Sequence, residues 1–434
     1  MIADVESFLS LFIFTACYIL LIAEKGNKAL IAIAGAVLMA AAGVVEMQLM
    51  FTRYIDWHTI ALLLAMMMIV SISSQSGLFE YAAIKSAQIV KGRPLPLLFF
   101  LSVLTGVGSA FLNNVTTVLL VTPVVFTITK KLHLQPVPFL IAIILSSNIG
   151  GTATIIGDPP NLMIGQAART LLFNDFLLNL GPPAVLIFFS VICGISMYYK
   201  KELLKDDKKE QRQQLLKVDA KRYIKSMPLL KKSLLVLLLT ISAFLLQPVI
   251  KVELTAIAMG GALLLLFMTQ EEISPEKVFR QMEWTTIFFF IGLFGLIGGI
   301  EEVGYLEEIA KGLMFLTEGD MMTTSISLLW ISGFVSGFVD NIPFVAAMIP
   351  VILELESYGI YDLEPIWWSL ALGACLGGNA TVIGATANVI VAGLAVKEGK
   401  GFSYFDFLKV GIPVVIFSLT ISTIYIYLRY LIFY

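Results

Sequence analysis

SSNIGGTATIIGDPPNLMIG, residues 146–165, decides how this chain is read. It lies in strongly apolar sequence, yet it holds Gly150, Gly151, Gly157, Pro159 and Pro160 within eleven residues. A plain membrane helix has no use for them. The pattern predicts a helix that stops, crosses a short polar loop over 148–154, and restarts. Asp158 would cap the new half-helix, and Pro159 suits its first turn. Non-helical backbone at membrane depth is tolerated only where protein buries it or where it lines a cavity. Interrupted helices of this kind form the ion and substrate sites of many transporters.

The pattern occurs twice. GGNATVIGATAN, residues 377–388, matches Gly150, Gly151, Ala153, Thr154, Ile156, Gly157 and Asn161 at one constant spacing, that from Gly150 to Gly377 and from Asn161 to Asn388. The same spacing pairs Trp57 with Trp284, Gly77 with Gly304, Glu80 with Glu307, Gly106 with Gly333, Asn114 with Asn341 and Pro123 with Pro350. A register kept without a gap over so long a stretch predicts a tandem duplication.

The 434 residues are 58% hydrophobic and 14% charged, with a mean hydropathy of +0.90. That composition predicts an all-α polytopic protein of the lipid bilayer. The net charge of −2 and the lack of a basic stripe give no sign of a nucleic-acid partner. Cys17, Cys193 and Cys375 lie in apolar runs without disulfide or metal spacing and read as core residues. Met66, Met67 and Met68 read as adaptable packing. The sequence carries no Walker-type loop and no nucleophile–base pair, so neither ATP hydrolysis nor another enzymatic activity is expected, and no cofactor beyond a coupling ion, Na⁺ or H⁺.

Apolar runs predict spans near 8–23, 29–47 and 58–76, then an interfacial helix over 78–92. Two apolar arms, 94–112 and 116–129, meet at Asn113-Asn114-Val115-Thr116-Thr117. This fits a re-entrant hairpin, or a turn between two full spans. The broken helix covers 136–165, and a further span covers 176–198. The order then repeats: spans at 233–247, 252–268 and 284–300, an interfacial stretch at 301–317, a hairpin whose tip is Asp340-Asn341-Ile342-Pro343, a broken helix at 366–395 and a last span at 407–431. The domains are therefore a first repeat, 1–198, a linker, 199–232, and a second repeat, 233–434.

Five crossings per repeat is an odd number, so the second repeat is expected inverted relative to the first. The linker holds twelve Lys or Arg, among them Lys200, Lys208, Lys209, Lys221 and Arg222. That predicts a cytoplasmic linker and both termini outside, in an inner or plasma membrane. Lys25, Lys28, Lys130, Lys131, Lys397 and Lys400 then fall inside, and Glu301, Glu302, Glu354, Glu356, Asp362 and Glu364 outside. The loop 269–283, with four Glu against Lys277 and Arg280, dissents.

Inverted repeats let two halves exchange conformations around one shared site. The candidate ion- and substrate-binding residues are Asn113, Asn114, Thr116, Thr117, Asn148, Thr152, Thr154, Asp158 and Asn161 from the first half. From the second come Asp340, Asn341, Asn379, Thr381, Thr386 and Asn388. Amides and hydroxyls offer oxygens to a cation and donors to an oxyanion, and helix ends add partial charge. The carboxylates break the symmetry: Asp158 matches Ala385, and Asp340 matches Asn113. An acid at membrane depth is a functional-site candidate by default. A Na⁺ site is expected at Asn114, Asp158, Asp340 and Asn341.

At these motifs the sequence resembles the ion transporter superfamily over nearly its whole length. SNIGGTATIIGDPPN with NNVTT is similar to the branch of arsenite permeases, NhaD-type Na⁺/H⁺ antiporters and P proteins; citrate and dicarboxylate symporters are more distant relatives. The Ser-Asn-Thr tips of those symporters are absent here. The resemblance implies an elevator-type transporter and a homodimer. The expected function is H⁺- or Na⁺-coupled secondary transport of arsenite, another small ion or oxyanion, or Na⁺ itself. The alternatives are a coupled di- or tricarboxylate symporter and an ion channel; matched broken helices speak against the channel.

Overall fold

The computed structural model describes residues 2–23, 26–205 and 209–433. The expectations that rest on Lys25 and Lys208 lie outside the described residues. Among those described, the regular structure is helical, and ten helices are long and apolar enough to cross a membrane. Large apolar side chains such as Phe8, Phe12, Phe315 and Leu316 remain exposed on the outer surface, as lipid-facing residues must.

Helix starts recur at the spacing that separates Gly150 from Gly377. Trp57–Ser74 corresponds to Trp284–Glu302, Asn114–Leu132 to Asn341–Glu354, Val137–Thr152 to Glu364–Gly377, and Pro159–Ala167 to Thr386–Lys397. The entries to the two short amphipathic helices, Leu78–Ile89 and Tyr305–Thr317, also match. Gly77 and Gly304 cap them at φ values of 82° and 81°, a backbone conformation that side chains resist.

Helices of one half pack on helices of the other. Lys28–Ala41 lies against Trp284–Glu302, where Gly292, Gly295 and Gly299 admit Ala32, Ala36 and Met39. A Cβ on Gly292 would come within 2.4 Å of the Ile33 nitrogen, so the two backbones touch. With no hydrophobic effect to drive helices together in lipid, such close approach supplies the packing energy.

Each predicted hairpin has a minimal turn. Pro94–Leu112 and Asn114–Leu132 are separated by Asn113 alone, at φ 83°. Met321–Phe338 and Asn341–Glu354 are separated by Val339 and Asp340.

The interruptions differ from expectation. The first helix runs through Asn148, Gly150 and Gly151 to Thr152, and only Ala153 to Asp158 leave helical geometry. The second helix ends at Gly377, and Gly378 to Ala385 are non-helical. The glycines serve approach rather than unwinding. A Cβ on Gly150 would lie 2.2 Å from the Gly106 carbonyl oxygen, and one on Gly377 would lie 2.3 Å from that of Gly333. Gly151 and Gly378 are packed in the same way on Gly157 and Gly384. Each broken helix is thereby pressed against its hairpin arm, and the chain leaves the helix just beyond the contact.

Gly150→Ala and Gly377→Ala therefore force backbone apart and should each cost about 3 kcal/mol of stability. Gly260→Ala, whose Cβ meets nothing within 4 Å, should be neutral or slightly stabilising. Thermal unfolding in detergent reads the difference; equal midpoints for all three variants would contradict the packing role.

Candidate functional site

Each interruption is held by one asparagine of the restarted half-helix. Asn161 Nδ2 donates to the carbonyls of Thr152 and Thr154, both at 3.0 Å. Asn388 Nδ2 donates to those of Gly378 and Thr381, at 2.8 and 2.9 Å. The threonines then tie the loops to the hairpins. Thr154 Oγ1 donates to the Ala110 carbonyl and accepts from Gly157 N; Thr381 Oγ1 donates to the Gly337 carbonyl and accepts from Gly384 N. Ser109 and Ser336 donate to the carbonyls of Ser147 and Ala374. Each of these bonds has its counterpart in the other half; only the acceptors Thr152 and Gly378 fall one position out of register. Buried carbonyls freed by a helix break need such donors, because no water or lipid group replaces them.

Between the interruptions lies a layer of amides with one carboxylate. Asn148 Nδ2 donates to Asn379 Oδ1 and Asn388 Oδ1, both at 2.9 Å, joining the two broken helices. Asn114 Nδ2, at the first hairpin tip, reaches Asn148 Oδ1 at 3.4 Å and Asp158 Oδ1 at 3.2 Å. Asn341 Nδ2, at the second tip, reaches both oxygens of Asp158, at 3.5 and 3.4 Å. Asp158 is 1% exposed. Asn379 Nδ2 is buried without a hydrogen-bond partner.

Asp158 does not cap its half-helix. It occupies the position before Pro159, but its side chain makes no capping bond. Pro159 suits the first helical position, but Pro160 at the second has no N–H to offer a cap. Asn114 and Asn341, the first residues of Asn114–Leu132 and Asn341–Glu354, both bond this carboxylate through their side chains. Its contacts, at 3.2 to 3.5 Å, run from the upper limit of the ordinary range to beyond it, so the group is surrounded but loosely held.

The other expected residues divide. Asn113 accepts from Val115 N at 2.8 Å, and with Thr116 it borders a small pocket beside Leu62, Met66 and Leu112, apart from the amide layer. Thr117 and Thr152 bond back to the carbonyls of Asn113 and Asn148 and serve the helix backbone. Asp340 does not join Asn114, Asp158 and Asn341. Its Oδ2 accepts from Lys28 Nζ at 2.8 Å and from Thr386 Oγ1 at 2.9 Å, and its Oδ1 accepts from Ile342 N. Lys28 reads in the sequence as a loop charge marking the inner side; instead it opens Lys28–Ala41 and reaches the second hairpin tip. Cys375, read as core, is buried, and its Sγ donates to Asn161 Oδ1 at 3.4 Å. That contact mirrors Asn148 on Asn388, and the repeat spacing, which pairs Asn148 with Cys375, was the signal for it.

A cavity of about 970 Å³ opens beside the half-helix Pro159–Ala167 and the arm Asn341–Glu354. Ile155, Met163 and Ala346 line it near the site; Asp56, Glu253, Glu301, Glu307 and Glu354 line it with Arg53 and Arg169. It also takes in Trp57 and His58, at the start of Trp57–Ser74. The linker docks at the far end of that helix, where Lys225 N donates to the Ser76 carbonyl and Lys225 Nζ pairs with Glu80 at 3.0 Å. Cavity and linker therefore lie toward opposite ends of one membrane-length helix.

Helices interrupted at a buried polar layer, in an apolar protein with a cavity beside the restarted half-helix, define a membrane transporter. The family model described as citrate transporter matches residues 18–373, and the chain belongs to that family of the ion transporter superfamily. An uncharacterized transporter of Mycobacterium tuberculosis is 36% identical over 96% of this chain and 97% of its own length. The P protein of Mus musculus is 33% identical over 97% of this chain, which spans 60% of that protein. The structure of Neisseria gonorrhoeae MtrF, described with a class of antimetabolite efflux pumps, aligns with a TM-score of 0.58 at 13% identity, covering 91% of this chain and 84% of that one. That last likeness concerns the fold alone.

Asn148→Ala leaves Asn379 Oδ1 and Asn388 Oδ1 without their shared donor and should cost about 3 kcal/mol. Thermal unfolding checks this; a shift no larger than that of an exposed substitution would show that the amide layer does not join the two broken helices.

Proposed function

We propose that the chain is a secondary active transporter in which Asp158 carries the coupling ion, exchanging a proton for Na⁺. The observation that carries this reading is a carboxylate only 1% exposed, set between two hairpin-tip asparagines that both bond it.

The site chemistry follows from the amides. With their Nδ2 groups toward Asp158, Asn114 and Asn341 stabilise the carboxylate by donation. Rotated by half a turn, the same side chains present Oδ1 instead. A small cation between them then meets oxygen from Asp158, Asn114 and Asn341, the hard ligands that Na⁺ prefers. The rotation at Asn114 leaves Val115 N bonded by Asn113 Oδ1 and withdraws the donor from Asn148 Oδ1. Proton and cation thus compete for one carboxylate, and their competition couples two gradients.

The moved species follows from the approach route. Five carboxylates against two arginines line the cavity. A field of that sign concentrates cations and repels a di- or trianion. Citrate transport, which the family description names, fits this cavity poorly, and a Na⁺/H⁺ antiporter fits it best. A neutral triol such as arsenite is the second reading, favoured by the unpartnered Asn379 Nδ2 beside the amide layer. In either case the two halves are inverted in the membrane with the linker cytoplasmic, the hairpins are re-entrant, and alternating access comes from an elevator-like shift of hairpins and broken helices within a homodimer.

Liposomes loaded with a pH-sensitive dye test the reading. Na⁺ or Li⁺ added outside should evoke a pH change with wild type and none with Asp158→Asn, which keeps the amide contacts and should fold. A response to citrate alone, or an undiminished response in the variant, would overturn it.

A further inference from the structure

The two carboxylates of the polar interior are differently equipped. Asp158 faces amides. Asp340, 7% exposed, holds an ammonium group: Lys28 Nζ lies 2.8 Å from its Oδ2, and the Lys28 side chain is itself only 26% exposed. Thr386 Oγ1 donates to the same oxygen from the restarted half-helix, and Ile342 N to the other. The lysine is held in place from its own side. Asn27 caps its helix through Ala29 N at 3.0 Å, and Tyr18 Oη, one helix earlier, donates to the Pro343 carbonyl of the same hairpin tip at 2.9 Å.

The helix-start bond recurs in the other half, where Val115 N donates to Asn113 Oδ1, but the charge pair does not. At the repeat spacing, Lys28 corresponds to Thr255, Asp340 to Asn113, and Thr386 to Pro159. Thr255 Oγ1 turns to the His58 carbonyl, and Asn113 bonds its own helix start. The first hairpin tip is neutral, whereas the second is a charge pair.

We infer that Lys28 is a resident cation: its ammonium fills the position at the second hairpin tip that a transported cation would take in a symmetric, doubled site. This rests on the reading of Asp158 proposed above and sets its stoichiometry at one exchangeable ion per turnover. A buried acid deprived of its partner is left uncompensated, and it recovers a positive charge from whatever cation reaches it. Lys28→Gln should therefore turn Asp340 into a second cation site. The lysine also links the N-terminal helix pair to the hairpin tip, so its pairing is a positioning role as well as an electrostatic one.

The test is thermal unfolding of the purified full chain as NaCl replaces choline chloride at constant ionic strength, and separately on acidification. Wild type should show one response, absent in Asp158→Asn. Lys28→Gln should show an additional upward shift of roughly 2 °C or more with Na⁺ or with acid. That extra shift should vanish in Lys28→Gln/Asp340→Asn, which removes both charges together. An unchanged cation and acid response in Lys28→Gln would overturn the inference. If Lys28→Gln fails to fold, the double variant decides: a response equal to wild type supports a silent Asp340, and a lost response overturns it. An Asp158→Asn protein that responds as wild type would sink the reading of Asp158, while the comparison of Lys28→Gln with the double variant still decides on Lys28.

Discussion

The rest of the structure depends on one constraint: a helix broken inside an apolar protein must find new partners for the carbonyls it frees. Here Asn161 and Asn388 supply them, each bridging its interruption from the half-helix that follows. The half-helices are short, nine and twelve residues, and are fixed by those amides and by hairpin contacts rather than by length. Once the interruptions are satisfied, the other buried amides are free for something else. Asn148, Asn379, Asn114 and Asn341 use that freedom to build a buried layer around Asp158.

Duplication supplies the frame, and departures from it supply the chemistry. The glycine contacts, the Thr-to-carbonyl ties and the asparagine clamps recur in both halves. The charged groups do not: Asp158, Asp340 and Lys28 have Ala385, Asn113 and Thr255 as their counterparts. A symmetric scaffold brings the two hairpin tips to the broken helices, and single substitutions then set Asp158 among the amides and pair Asp340 of the second tip with Lys28.

Much of this was legible before the structure. The glycine-proline cluster and its second copy located both interruptions, and the constant spacing between the copies located the helices around them. The amides expected at the site, Asn114, Asn148, Asn341, Asn379 and Asn388, do lie in one layer. What escaped was contact across the halves. Gly150 and Gly151 look like helix breakers in one dimension, but their role is to admit the Gly106 arm and Gly157. Asp158 looks like a cap, yet Pro160 removes the N–H that a cap would bond at the second helical position, and the carboxylate bonds Asn114 and Asn341 instead. Lys28 reads as a loop charge because its partner is 312 residues away, a separation that no local pattern reports.

The central claim is that Asp158 changes protonation when a cation binds. Infrared difference spectroscopy of the reconstituted protein, recorded as Na⁺ replaces choline at fixed pH, reads that event directly. The account predicts a carboxyl band that converts to carboxylate in wild type and is missing from the spectrum of Asp158→Asn. A spectrum without carboxyl change, or one that persists in the variant, would contradict it.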